Sequence, residues 1–170
     1  VLASFVDTVR LASAGPGMQG GRRAGSARQL LDALLDSYPL SAAQRAAITV
    51  DVGDDFSIAE SPNCVALILS SVLANALRSA GEQAHPAIGI RIDAGRITVR
   101  DNGAGIAPEI VAQLLLDPVS ASGNEGKGWG MVFCHRMMQS FGGNLDIATE
   151  FDTSTTVTLN FPVHIRNEHD

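Results

Sequence analysis

The sequence predicts an α/β two-layer sandwich in which a mixed sheet is covered on one face by helices. Three observations predict it. Segments such as Ile97-Thr98-Val99-Arg100, and the run where Val157, Leu159, Phe161 and Val163 alternate with Thr156, Thr158 and Asn160, have the period of half-buried strands. Other segments space their apolar residues three and four apart, as Val65, Leu69, Val72 and Ala76 do, which gives a helix one core face. The two kinds interleave along 170 residues, enough for one domain with a sizeable core.

Taken in order, residues 1–14 read as the end of an amphipathic helix (Leu2, Phe5, Val6, Val9), and 15–27 as a Gly-rich linker. A domain over 28–165 follows, with a tail at 166–170. A first helix is expected over 26–37 and strands over 47–52 and 55–60. Ser61-Pro62 then reads as an N-cap followed by proline at the first helical position, opening a helix that runs to Ala80. Strands over 87–93 and 96–100, a short helix over 108–115 and a helix over 129–141 come next. Gly142-Gly143 closes that last helix, and strands over 144–150 and 155–163 finish the domain.

Composition narrows the function. A net charge of −6 gives no attraction to nucleic acid, so no nucleic-acid partner is expected. Cys64 and Cys134 lack metal-ligand spacing and read as reduced packing residues in helices. No apolar run reaches membrane-spanning length and no signal peptide is visible. Val1 opens in mid-pattern without a methionine, so the chain is expected to be a piece of a longer protein.

Three motifs carry chemistry. Asp101-Asn102-Gly103-Ala104-Gly105-Ile106 sets a carboxylate where a strand ends, with two glycines that let a flat ligand approach the backbone. A carboxylate there can accept a hydrogen bond from an exocyclic amine such as adenine's and so discriminate against guanine. Upstream, Ser71, Asn75 and Arg78 share a polar stripe at the edge of a helix's core face. Asn75 offers a neutral oxygen to an Mg²⁺ shell otherwise made of water and phosphate, and Arg78 can reach a phosphate. Downstream, Gly126-Lys127-Gly128-Trp129-Gly130-Met131 opens a helix with small residues, whose free N–H groups suit phosphates. Its spacing is neither that of a P-loop nor that of a dinucleotide fold. Separately, each has a plain structural reading: a turn, a paired amide, a flexible loop. Together, and in this order, they are specific.

The combination resembles the catalytic ATP-binding domain of bacterial sensor histidine kinases, members of the GHKL superfamily with the Bergerat ATP-binding fold. The likeness covers about residues 28–165. It implies ATP and Mg²⁺ as ligands, with Asp101 on the adenine amine, Asn75 on Mg²⁺ and as a catalytic residue with Arg78, and Arg78 on phosphate. By the same resemblance Gly103, Gly105, Ile106, Lys127, Gly128, Trp129, Gly130, Met131 and Thr156 line the nucleotide site, and about 115–128 forms a lid. It further implies a cytoplasmic domain of a homodimeric protein that can be anchored in the inner membrane. The implied partners are a histidine-bearing dimerisation domain of the same protein and a response regulator or receiver domain. The wording from Phe133 to Gly143 is similar to autoinducer-sensing hybrid kinases of quorum-sensing systems. Three departures stand out. Ser71 replaces the family's asparagine, the lid segment Leu114 to Ser120 lacks a phenylalanine pair and a basic residue, and Asp152-Thr153-Ser154-Thr155-Thr156 lacks the family turn's glycines. ATP-hydrolysing relatives carry a glutamate at the Ser71 position as general base, a role serine cannot take at neutral pH, so hydrolysis is disfavoured. The competing expectation is a nucleotide-sensing or protein-interaction module without transfer activity. His85, His135, His164 and His169 lack the sequence context of a phosphoacceptor.

Overall fold

Short-range capping chemistry sets where most of the early elements begin. The computed structural model describes residues 25–116, 129–150 and 152–162, so the expected helix end at 1–14, most of the linker and the tail at 166–170 lie outside the described residues. The elements are β1 (Gly25–Ser26), α1 (Ala27–Ser37), α2 (Ala42–Ala47), β2 (Ile48–Val52), β3 (Ser57–Ile58), α3 (Pro62–Ala80) and β4 (Ile88–Asp93). These are followed by β5 (Arg96–Asp101), α4 (Pro108–Leu116), α5 (Trp129–Ser140), β6 (Asn144–Glu150) and β7 (Ser154–Asn160). Helices α1 and α2 each open with a reciprocal capping box, Ser26 with Gln29 and Ser41 with Gln44. Helix α3 starts on Pro62, and Ser61 makes no side-chain cap bond there; proline at the first turn needs none of its own N–H.

Five strands form the sheet in the order β2-β4-β5-β7-β6, with β2 and β4 parallel and every other pair antiparallel. One face is apolar. Ile88, Ile90 and Ile92 of β4, Ile97 and Val99 of β5, Val157 and Leu159 of β7 and Leu145 of β6 are all buried under α3 and α5. The other face carries Arg91, Thr98, Arg100 and Thr158 and is turned away from α3 and α5. This is the two-layer sandwich that the alternation of periods predicts. Helix α3 is the central element of the helical layer: Val65, Ile68, Leu69, Val72, Leu73, Ala76 and Ala80 are buried. At roughly 1.5–3 kcal/mol per fully buried large aliphatic side chain, this face is a dominant source of stability. By length and mean hydropathy α3 could cross a membrane, contrary to the expectation from the sequence, but here it is the core helix, packed on α1, α5, β4 and β5.

One element was not expected, and one expectation is corrected. Residues 42–47 form the helix α2, which has no buried side chain and so lacks an apolar period to announce it. The strand expected over 55–60 shrinks to Ser57–Ile58 and pairs with Gly25–Ser26 in a separate two-stranded sheet. Its neighbours are spent elsewhere: Asp55 accepts from the Arg28 N–H at 3.0 Å and Phe56 O from the Ala27 N–H at 2.8 Å. That segment ties down the start of α1 instead of extending the main sheet.

Candidate functional site

Asp101 is the last residue of β5, paired with Ile88 on one side and Thr155 on the other. Strand alternation places it with Ile97 and Val99 on the helix-covered face, and it is 5% exposed. Its Oδ1 accepts from the Gly103 N–H at 2.9 Å, and the Ser79 hydroxyl of α3 also bonds the carboxylate. Desolvation pushes the Asp101 carboxyl above its ordinary range, and the bonds from Gly103 and Ser79 pull part of the way back. Among the described residues no cation contributes to its state. A buried carboxylate held by neutral donors alone keeps its acceptor capacity for something else.

The loop after Asp101 is pinned on both sides. Asn102 accepts from the Ala87 N–H at 2.9 Å through Oδ1 and donates from Nδ2 to His85 O at 2.8 Å. On the far side, Asp152 N–H donates to Ala104 O at 2.7 Å and Ile106 N–H to Thr149 Oγ1 at 2.7 Å. Gly105 has a φ of +74°, and a Cβ there would come within 2.6 Å of Glu150 O. Gly103 is crowded too: a Cβ would fall onto the Ser79 hydroxyl and lie 2.8 Å from Asp101 Oδ1. Both glycines of the motif are therefore required by contact, not only by flexibility. Backbone amides and a carboxylate fixed in this way form a preorganised recognition edge.

The polar stripe on α3 forms as the sequence predicts, and two of its three members, Asn75 and Arg78, engage each other. The Arg78 guanidinium, through Nη2, donates to Asn75 Oδ1, the atom that would face a metal. Nearby, burial pushes the Tyr38 phenol at the C-cap of α1 upwards and the charge of Arg78 pulls it back, which places that ring beside the guanidinium. About one turn before Asn75 on α3, Ser71 bonds the Cys134 thiol of α5, and the adjacent Ser70 returns its hydroxyl to Ala66 O. Burial pushes the Cys134 thiol up to about 11, which keeps it a protonated packing group. The cysteine reading from sequence agrees.

Of the glycine-rich run, Lys127 and Gly128 lie outside the described residues, and Trp129 begins α5. Gly130 stands on α5 with its Cα turned to α3, where a Cβ would meet Ser71 Cβ at 3.8 Å. Met131 is buried in the core. Thr156 pairs with Arg100 and falls on the other face of the sheet, away from Asp101. The neighbour of Asp101 on the covered face is Thr155, whose Oγ1 is buried with no hydrogen-bond partner. Sequence reasoning missed Ser79, Asn102, Thr149 and Thr155. Asn102 is adjacent to a motif residue and Thr155 is one position from a named one, so both left a trace; Ser79 and Thr149 reach the site only through space.

The end of β5 thus gathers a buried carboxylate met by two neutral donors, a buried hydroxyl without a partner and two glycines in close contact, with the Asn75 amide on the helix above. A buried carboxylate closing a central strand of a mixed sheet under helices is the feature on which a family can be compared. The family model described as histidine kinase-, DNA gyrase B- and HSP90-like ATPase matches residues 60–165, which run from the residue before Ser61 to beyond β7. The chain belongs to this family. The CAI-1 autoinducer sensor kinase/phosphatase CqsS of Vibrio cholerae serotype O1 is 29% identical over 136 residues, covering 78% of this chain and 20% of the relative. Sporulation kinase D of Bacillus subtilis is 39% identical over 67 residues, 39% of this chain and 13% of that protein. The chain thus spans a minor part of these relatives. Among solved structures, the histidine kinase domain of the E. coli osmosensor EnvZ superposes with a TM-score of 0.60 at 18% identity, covering 91% of this chain and 98% of that one. The catalytic domain of the histidine kinase ThkA gives 0.61 at 13% identity, over 82% and 96%. These likenesses are of fold.

Proposed function

We propose that the chain is the ATP-binding catalytic domain of a sensor histidine kinase, which passes the γ-phosphoryl group of ATP to a histidine on a dimerisation domain of the same protein. The observation that carries this reading is the Asp101 carboxylate, buried with no cation beside it among the described residues and flanked by a buried Thr155 hydroxyl that has no partner. Both groups are desolvated at a cost that a ligand bearing an amine and ring nitrogens would offset. Gly103 and Gly105, Ile106, and the Gly130 end of α5 would line the rest of the nucleotide.

Asn75 and Arg78 supply the phosphate end. Among the described residues no three His, Cys, Asp or Glu side chains converge on a metal site, so Mg²⁺ would take most ligands from phosphate and water and one from Asn75. When bound, the ion neutralises phosphate charge. Arg78 has to leave Asn75 Oδ1 for that, and a phosphate oxygen is the natural acceptor for its guanidinium. In the transfer, the acceptor imidazole nitrogen bonds to the γ-phosphorus as the bond to the β–γ bridging oxygen breaks, leaving ADP. The chain's contribution is positioning and charge neutralisation. Ser71, turned to Cys134, is no base for water, which favours transfer over hydrolysis.

The receiver or response regulator downstream, homodimerisation of the whole protein and a membrane anchor outside the chain belong to the same reading. The 78% coverage by an autoinducer sensor kinase supports a place among quorum-sensing kinases. The test is phosphotransfer. With γ-labelled ATP the chain alone stays unlabelled, while its dimerisation domain, added in trans or fused in native order, gains an acid-labile, base-stable label on histidine. Nucleotide binding with no transfer in either format rejects the kinase reading in favour of a nucleotide-sensing module.

A further inference from the structure

Helical serines of this domain turn their hydroxyls either back onto their own helix or, as Ser71 does to Cys134, across to a neighbour. Ser37, Ser70 and Ser140 hand their hydroxyls back to carbonyls of their own helices, Ala33 and Leu34, Ala66, and Met137. Ser79, in the last turn of α3, is instead turned across to the end of β5, where it bonds the Asp101 carboxylate. The glycine at 103 makes room for it: any larger residue there would occupy the place of the Ser79 hydroxyl. Two elements distant in sequence therefore converge on one carboxylate, a hydroxyl from α3 and an amide from the loop after β5.

We propose that Ser79 is a positioning residue for base selection: its hydroxyl, with the Gly103 N–H, holds Asp101 as a pure hydrogen-bond acceptor and so favours a base presenting an amine over one presenting a carbonyl. This rests on the nucleotide-site reading above. The argument is one of hydrogen-bond parity. A carboxylate facing two fixed donors keeps only lone pairs for a ligand. An adenine-type edge supplies the matching N–H, and a guanine-type edge supplies an oxygen, which is an acceptor against an acceptor. Without Ser79, the Gly103 N–H is the one donor left on the carboxylate among the described residues. Strand β7 carries no titratable side chain. On β4, Arg91 and Asp93 lie toward the far end, and Asp93 pairs with Arg96 there; on β5, Arg100 is on the other face. On α3 the charge is that of Arg78, bonded to Asn75, and the loop from α3 to β4 brings Glu82 and His85, both exposed, with the His85 carbonyl on Asn102; Glu150 and Asp152, beside the loop after β5, are exposed as well. A protonated Asp101 would present an O–H, which suits a carbonyl base and mismatches an amine.

The experiment measures equilibrium binding of ATP and GTP to this chain, Ser79→Ala and Asp101→Asn, between about pH 7.5 and about pH 5.5. Alanine is the better helix former, so Ser79→Ala retains the fold. The expected result is an ATP affinity about tenfold weaker at the upper pH with GTP little changed, so that the ATP-to-GTP preference falls by the same factor. The loss should grow as the pH falls, moving the midpoint of the ATP-binding profile upwards. An unchanged ATP affinity, or equal losses for both nucleotides with an unmoved pH profile, overturns the proposal and makes Ser79 structural. If the parent fails to bind ATP, or Asp101→Asn binds it as the parent does, the nucleotide-site reading itself fails. If Asp101→Asn loses ATP and Ser79→Ala does not, this inference alone fails.

Discussion

Asp93 and Asp101 stand at opposite ends of one antiparallel hairpin, and their surroundings could hardly differ more. At the turn end, Ala94 and Gly95 adopt φ of 45° and 86° to close a tight two-residue turn, and Asp93 sits in the charged rim beside it. It accepts from the Asp54 N–H at 3.1 Å and from Arg91 at 3.2 Å, and Arg91 also pairs with Asp51. The Asp54 amide first, and Arg91 after it, hold the Asp93 carboxyl below its ordinary range. At the other end Asp101 is buried, pushed up by desolvation, and met by neutral donors. The first carboxylate ties β2 to β4 and closes a corner. The second is retained against the preference of the fold, which is where function is expected.

The largest effect that would sharpen this contrast is on binding. Asp101→Asn presents an N–H where the base presents its own, so ATP affinity should fall by more than tenfold, about 2–3 kcal/mol. GTP should stay a poor ligand of the parent, and Asp93→Asn should leave ATP affinity untouched. Titration calorimetry reads all three. A folded Asp101→Asn that binds ATP as tightly as the parent would remove the functional half of the comparison.

Next in size is the metal. Asn75→Ala should weaken ATP in Mg²⁺ by about tenfold, and adenosine or metal-free ATP much less, since only the ion loses a ligand. Equal losses for all three ligands would make Asn75 a partner of Arg78 and nothing more.

The glycines give a third, structural test. Gly105→Ala combines a left-handed φ with a Cβ 2.6 Å from Glu150 O and should cost about 1–3 kcal/mol of stability. Gly130→Ala meets Ser71 at an ordinary 3.8 Å and gains helix propensity, so it should be neutral or stabilising by up to about 1 kcal/mol. Thermal melts of the two variants should move in opposite directions or differ clearly in size; equal shifts would mean the loop after β5 is not held as described.

The same contrast explains what could be read from the chain. Elements with a strong period, such as α3 with Val65, Leu69, Val72 and Ala76, were legible because burial itself imposes the period. Asp101 was legible because a strand pattern ends on it. Helix α2 was not, since Ala42–Ala47 buries nothing, although its Ser41–Gln44 capping box is a local signal. Strand parity decided between Thr155 and Thr156: register against β5 is fixed by long-range pairing, and a shift of one residue exchanges the two faces. Ser79 was invisible because its partner is twenty-two positions away in sequence and adjacent only after folding. Lys127 and Gly128 lie outside the described residues, so the phosphate end as proposed is argued from Asn75 and Arg78 alone.

The smallest expected effect concerns stability against pH, and it separates the two carboxylates by sign. A folded-state carboxyl lowered below its unfolded value contributes stability above the unfolded value and loses it as pH falls through the folded one. That is Asp93, whose exposure keeps the contribution small. A carboxyl raised in the folded state does the reverse: the native protein holds the proton more tightly than the unfolded chain, so ionisation costs stability, and the cost vanishes once pH falls below the unfolded value. That is Asp101. Melting curves without nucleotide, from about pH 3 to about pH 8, should therefore show Asp93→Asn slightly less stable than the parent at neutral pH, converging with it in acid. Asp101→Asn should be as stable as the parent or more so at neutral pH, with its advantage lost in acid, because an amide still accepts from the Gly103 N–H while escaping the desolvated charge. If Asp101→Asn were destabilised at neutral pH and recovered in acid, Asp101 would be a structural carboxylate of the Asp93 kind, and the two ends of the hairpin would have to be read alike.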